Sequence, residues 1–225
     1  MNETALITGS SKGLGKELAL VFAENGYNII LHGRDEKDLQ RVQEEVSKYG
    51  VEGIVVRGDL KYPETIKALY SEAKRKDISV LINNAGTPCP GLPLNQRTPE
   101  QTYESIIINL ISPIQITQRI YEHFLKKNEG TIININSFSG ITNQKFRTIH
   151  CANKWGLKGF TDTLKLEAKE NGIYVIGVYP TRIKTRPEFT YGLDPKELAK
   201  KIYTHYNTKN IEDIIIDGRP KEFKK

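Results

Sequence analysis

The sequence predicts an α/β fold, a doubly wound parallel sheet of seven strands with helices on both faces. Three observations lead there. Short runs of Ile, Val and Leu alternate with longer segments of helical periodicity along the whole chain. The apolar runs at residues 4–8 and 79–83 lack the polar alternation of half-exposed strands, which marks strands covered on both faces. A glycine-rich turn, Gly9-Ser10-Ser11-Lys12-Gly13-Leu14-Gly15, joins the first run to the first amphipathic segment, the context of a Rossmann-type dinucleotide loop.

Each element follows in order. Residues 4–8 form the first strand, and residues 13–25 form a helix with Leu14, Leu18, Val21 and Phe22 on one face. The second strand spans 27–31, and Asp35 is placed to cap a helix running toward Tyr49. Residues 53–57 form the third strand, 63–74 a helix and 79–83 the fourth strand. A loop rich in Pro and Gly, 87–97, precedes one long helix over 99–127. The fifth strand, 131–136, is followed by a second long helix, 148–170. The sixth strand (173–179), a helix (195–205) and a last strand (213–216) complete the pattern. No linker, repeat or low-complexity block divides the chain, so residues 1–225 are expected to form a single dinucleotide-binding domain with a frayed tail at 219–225.

Composition narrows the function classes. The 225 residues suffice for one sizeable α/β core. The net charge of +6 comes from lysines interleaved with acids, as in Glu36-Lys37-Asp38, a solvated pattern rather than a nucleic-acid stripe. The start MNETALITGS lacks a basic leader, and no apolar run has the length of a membrane span. Two cysteines, Cys89 and Cys151, make no disulfide framework, so a cytoplasmic setting is expected. Neither nucleic acid, membrane nor metal is an expected partner.

At the nucleotide end, Gly9, Gly13 and Gly15 allow tight turning and close approach of backbone to a pyrophosphate at a helix N-terminus. The second strand ends in Leu31-His32-Gly33-Arg34-Asp35, with no carboxylate at the tip to accept from a ribose 2′-hydroxyl. Arg34 and Lys12 suit a 2′-phosphate instead, with His32 a candidate third contact, so NADP(H) is expected over NAD(H). Farther along, Pro113 denies a helical N–H to the carbonyl of Asn109 and predicts a kink.

Together these motifs resemble the short-chain dehydrogenase/reductase family over residues 3–186. The glycine spacing of four then two, Gly58-Asp59-Leu60 and Asn83-Asn84-Ala85-Gly86 are similar to its nucleotide-site elements. The resemblance implies cofactor contacts from Gly9, Ser11, Lys12, Gly13, Leu14, Gly15, Arg34, Asp59, Leu60, Asn84, Ala85 and Gly86. It also implies them from Lys154, Pro180, Thr181, Ile183 and Thr185, with Thr181 standing where the family has glycine. The loop about 181–193 resembles a short substrate lid. Phe138, Ile141, Gln144, Phe146, Pro88, Leu92 and Phe189 are candidate lining residues by loop position.

The family's catalytic set is Asn, Ser, Tyr and Lys. Asn109, Ser137 and Lys154 match three of these in register, and His150 stands where the tyrosine is expected. Ser139 competes with Ser137, but the thirteen-residue spacing to His150 favours Ser137. An imidazole tip falls about 2 Å short of a phenol oxygen, a gap that a water or a deeper substrate fills. The resemblance therefore implies an NADPH-dependent reductase taking a small carbonyl compound to an alcohol, with His150 as donor. A homodimer or tetramer through the two long helices is implied as well. Two alternatives stay open: an NADP(H)-binding sensor or partner subunit with little turnover, and a Ser137–His150 hydrolase. The hydrolase ranks last because no G-x-S-x-G elbow surrounds Ser137.

Overall fold

The computed structural model describes residues 2–87, 90–185, 189 and 191–220. Its strands are β1 (Thr4–Ile7), β2 (Asn28–Gly33), β3 (Gly53–Arg57), β4 (Val80–Asn83), β5 (Gly130–Ile135), β6 (Ile173–Pro180) and β7 (Ile214–Ile216). They form one 7-stranded sheet in the order β3-β2-β1-β4-β5-β6-β7, and every pairing is parallel. The helices are α1 (Gly13–Glu24), α2 (Glu36–Ser47), α3 (Pro63–Arg75), α4 (Pro99–Ile106), α5 (Ser112–Lys127), α6 (Thr148–Ala168) and α7 (Pro195–Asn207). This is the doubly wound Rossmann-type fold that the alternation predicts.

Strand order reverses beside β1, which pairs with β2 on one side and β4 on the other. At such a switch point the loops diverge to opposite faces and leave a crevice at the carboxyl ends of the strands. Two apolar layers hold the sheet. Ala5, Ile7, Ile29, Leu31 and Ile133 face α1, α2 and α7, whereas Leu6, Ile30, Leu81 and Ile132 face α3, α5 and α6. Both faces are therefore buried, which explains the strands' unbroken apolar character.

Local sequence sets the helix starts. Asp35 caps α2 by accepting from the Asp38 N–H at 2.9 Å. Thr98 and Gln101 form a capping box with Pro99 in the first turn of α4. Asp194 accepts from the N–H groups of Lys196 and Glu197 at 2.9 and 3.0 Å to start α7.

The expectation of one helix over 99–127 needs correction. A π-helical turn, Ile107–Ile111, separates α4 from α5, and the Ser112 N–H reaches back to the Ile107 carbonyl. Pro113 has no N–H to continue the α ladder, and the Ser112 hydroxyl donates to both Ile107 O (2.8 Å) and Leu60 O (2.9 Å). Arg219 is held by Asp217 through Nε and Nη2, both at 2.9 Å, and lies over the Phe138 ring. Residues 221–225 lie outside the described ones.

Candidate active site

The glycine loop leaves β1 and turns over the sheet edge. Gly9 takes φ +67°, a left-handed conformation that glycine adopts without strain. A Cβ on Gly15 would stand 2.1 Å from Gly9 O and 2.4 Å from Asn84 Nδ2, so α1 starts hard against the loop. The Asn84 amide donates to Thr8 O (2.9 Å) and Gly9 O (3.1 Å), and the Thr8 hydroxyl accepts from the Asn84 and Ala85 N–H groups. Asn84 thereby ties the end of β4 to the glycine loop, with Thr8 as its partner. Among the described residues no side chain caps α1, which leaves its first-turn N–H groups without a side-chain acceptor.

These features fit a dinucleotide phosphate. Lys12 is exposed at the α1 N-cap, Ser11 packs on Gly33, and Arg34 is exposed past the end of β2. Arg34 stands 3.7 Å from Asp59, which also draws Lys61 to 3.9 Å. Such exposed pairs hold weakly and leave the guanidinium available. Leu14 and Leu60 bury their side chains in the two core layers, so only their backbones border the loop.

His32 is not a phosphate contact. Strand β2 runs to Gly33, so His32 lies inside the sheet, opposite Val56, and is buried. Its Nδ1 accepts from the Gly9 N–H at 3.2 Å, and burial pulls the imidazole down to about 4. It is a neutral strut beneath the glycine loop.

At the other end, Ser137 leaves β5 half-buried, and its Oγ accepts from the Ser139 N–H at 3.1 Å. Ser139 itself is buried. Lys154, on α6, is 9% exposed and donates from Nζ to Ile135 O at 3.1 Å. Burial pulls its ammonium down to about 8. The Asn136 amide donates to Lys154 O at 3.1 Å and binds α6 to the end of β5. His150 lies one turn before Lys154. Its burial, with the charges of Lys154, Arg147 and Arg97, pulls the imidazole down to about 4. His150 Nδ1 is buried without a partner among the described residues. No hydrogen bond joins His150 to Ser137 Oγ, and no carboxylate orients the ring among the described residues, so the hydrolase triad is not assembled.

Asn109 lies in the π turn, buried. Its amide donates to Ser105 O at 2.9 Å, and its Oδ1 accepts from the Thr87 N–H at 3.1 Å. It thereby anchors the loop after Gly86. A polar ladder that sequence reasoning missed lies behind it. Asn83 Nδ2 donates to Thr117 Oγ1 and Asn134 Oδ1, and Asn134 Nδ2 donates to Thr161 Oγ1, all at 2.9 Å. Asn153 adds bonds to Ser105. Buried amides at strand ends were the available signal.

The segment after Pro180 crosses toward the glycine loop, where Thr185 Cγ2 would be 3.1 Å from a Cβ on Gly13. Thr181 takes no positive φ; instead its hydroxyl accepts from the Gly218 N–H at 2.9 Å. Ile183 bridges Leu193, and Arg182 lies over the Phe189 and Tyr191 rings. Pro88, Cys89, Arg186, Pro187, Glu188 and Thr190 lie outside the described residues.

Two imidazoles held neutral make stability fall in acid. His32 and His150 titrate near 4 folded against an ordinary 6.5, so the unfolded chain binds more protons across that window. Stability is expected to drop as pH falls from 6.5 toward 4, by about 1–3 kcal/mol for His32 and less for partly exposed His150. Urea unfolding at stepped pH measures this. His32→Gln should flatten part of the slope, and an unchanged slope in that variant would remove His32 as a cause.

A cavity of about 230 Å³ lined by Glu3, Tyr27, Ser79 and Tyr206 sits at the opposite, amino-terminal ends of the strands. It is remote from these groups, and α/β sheets of this kind bind ligands at the other end. Among the described residues no helix is long and apolar enough to cross a membrane, and no cluster of His, Cys, Asp or Glu could hold a metal.

Comparison with known proteins agrees with the geometry. A 3-oxoacyl-[acyl-carrier-protein] reductase FabG of Staphylococcus epidermidis is 32% identical over 184 residues, covering 80% of this chain and 75% of that protein. The crystal structure of a bulky-bulky ketone specific alcohol dehydrogenase from Comamonas testosteroni superposes with TM-score 0.87 at 28% identity, covering 95% of this chain and 85% of that one. A short-chain dehydrogenase from Sphingobium yanoikuyae, solved in complex with NADPH, shares the fold with TM-score 0.87 at 24% identity, covering 96% and 87%. The family model for short chain dehydrogenase matches residues 3–191, and the chain belongs to that family of oxidoreductases.

Proposed function

We propose that the protein is an NADPH-dependent reductase that takes a small carbonyl compound to an alcohol with Ser137, His150 and Lys154, Asn109 bracing the site. One observation carries the reading. Buried Lys154 bonds to Ile135 O at the carboxyl end of β5, two residues before Ser137, and its charge acts on the His150 ring one helical turn away. Lys12 and Arg34 favour a 2′-phosphate, and Asp59, Asn84, Ala85, Gly86, Pro180, Ile183 and Thr185 frame the remaining nucleotide path.

When bound, the cofactor supplies a hydride to the carbonyl carbon. The Ser137 hydroxyl orients the carbonyl oxygen by donating to it. His150, neutral at pH 7, donates its remaining N–H to the same oxygen and polarises the bond, a role that a neutral imidazole can fill without giving up its proton. Imidazolium is scarce at pH 7, so solvent supplies the proton that completes the alcohol. Lys154 adds positive charge near the His150 ring and would hold the cofactor ribose. The same reading makes the protein a cytoplasmic homo-oligomer without nucleic-acid or membrane partners. The exposed α6 face bearing Trp155 and Leu166 supports a helical contact between copies.

NADPH oxidation by native protein, His150→Tyr and His150→Phe on ketones, aldehydes, diketones and quinones tests the assignment. Native turnover that falls about 10²-fold or more in His150→Phe makes His150 the donor. Full activity in His150→Phe removes it from the mechanism. A second reading, nucleotide binding without turnover, is favoured by the buried His150 Nδ1, which among the described residues has no partner to set its tautomer. NADPH binding by a native protein silent on the panel, awakened by His150→Tyr, selects that reading.

A further inference from the structure

The crevice beside His150 has two banks. One is the 90–97 loop after β4, the other the 141–147 loop after β5, and the Leu92 N–H joins them by donating to Phe146 O at 2.9 Å. Each bank carries an arginine. Half-buried Arg97 donates from Nη2 to Pro90 O. It lines a cavity of about 150 Å³ with Thr87, Leu92, Gln101, Glu104 and Ser105. That cavity adjoins Asn109, which bonds to Thr87 and Ser105. Half-buried Arg147 stands at the start of α6, three residues before His150.

Neither arginine has a carboxylate within ion-pair distance among the described residues, Glu104 included. Arg34, Arg41, Arg57, Arg75 and Arg219 each have one. Both charges reach the His150 ring and add to that of Lys154. Unpaired cations in a partly desolvated cleft are costly, and an incoming anion relieves that cost. A guanidinium fork matches a carboxylate in shape as well as charge.

Resting on the reductase reading for the position of the reacting carbonyl, we propose that the substrate is a short oxo acid. Arg97 and Arg147 hold its carboxylate while its carbonyl oxygen lies at Ser137 and His150. The carboxylate offsets the positive charge gathered around the imidazole.

Binding and turnover test this separately. The native protein, with and without NADPH, is titrated calorimetrically with 3-hydroxybutanoate and with its neutral amide, neither of which can react with the reduced cofactor. The acid is expected to bind about tenfold or more tighter than the amide. Arg97→Gln with Arg147→Gln should erase that preference and leave amide binding intact, while Arg147→Lys keeps part of it and controls for folding. Equal binding of acid and amide overturns the proposal, as does turnover of neutral ketones in preference to oxo acids. In the second case the reductase reading survives. A binding preference without NADPH oxidation on any compound supports the anion site and defeats the reductase reading alone.

Discussion

Lys154→Met is expected to stabilise the protein while removing its activity. The native ammonium is buried and titrates near 8 instead of 10.5, so below pH 8 the fold carries the cost of a desolvated charge. Between pH 8 and 10.5 the unfolded chain holds a proton that the native one has lost, and native stability rises with pH across that window. Methionine keeps most of the volume and forfeits the charge and the bond to Ile135 O. The net gain at pH 7 is about 1–3 kcal/mol, or about 2–10 °C in Tm, with the slope above pH 8 abolished. NADPH oxidation should fall about 10²-fold or more. Thermal melts from pH 6 to 10 beside steady-state kinetics decide it. Retained activity denies Lys154 its place in the site, and a lower Tm denies that its charge strains the fold.

Gly15→Ala should act in the opposite sense on stability. The methyl group would meet Gly9 O and Asn84 Nδ2 far inside contact distance, and both are held by the Thr8–Asn84 bonds. The start of α1 must then move away from the loop, at a cost of about 1–3 kcal/mol. The uncapped N–H groups move with it, so NADPH affinity should fall about tenfold or more. Denaturant unfolding and NADPH fluorescence titration read the two effects. Loss of stability with unchanged affinity would mean that the phosphates do not sit on α1.

Most of the architecture was legible because the strands are largely apolar runs and several helices have marked starts. The cap at Asp35 needed no tertiary knowledge to read. The strand order is set by contacts far apart in sequence, such as Ala5 with Val80, and periodicity carries no trace of them. The break at Ile107–Ile111 was half legible. Pro113 announced a lost N–H, but the outcome, a π turn rather than a simple kink, depends on Ser112 finding Leu60 O across the fold.

The site divides the same way. The order of Asn109, Ser137, His150 and Lys154 could be read, and so could the exposed cations Lys12 and Arg34. His32 was misread because its polarity outweighed its place in a strand, and the structure buries it under Gly9. Arg97 and Arg147 were missed because nothing in a linear sequence shows that the 90–97 and 141–147 loops meet. The buried amide ladder from Asn83 to Thr161 escaped for a related reason, since each member finds its partner on another element.

Strand β1 leaves the ribosome before the six other strands yet lies inside the sheet. Its Thr4–Ile7 edge meets β2 early, but the opposite edge waits for Val80, Leu81 and Ile82 to emerge. Parallel neighbours cannot be joined by a hairpin, so no local shortcut covers that edge sooner. Throughout synthesis of the intervening chain, Ala5, Leu6 and Ile7 present unpaired backbone and apolar side chains to any strand nearby. The same interior placing that covers both edges of β1 in the finished protein leaves one of them bare in the unfinished one.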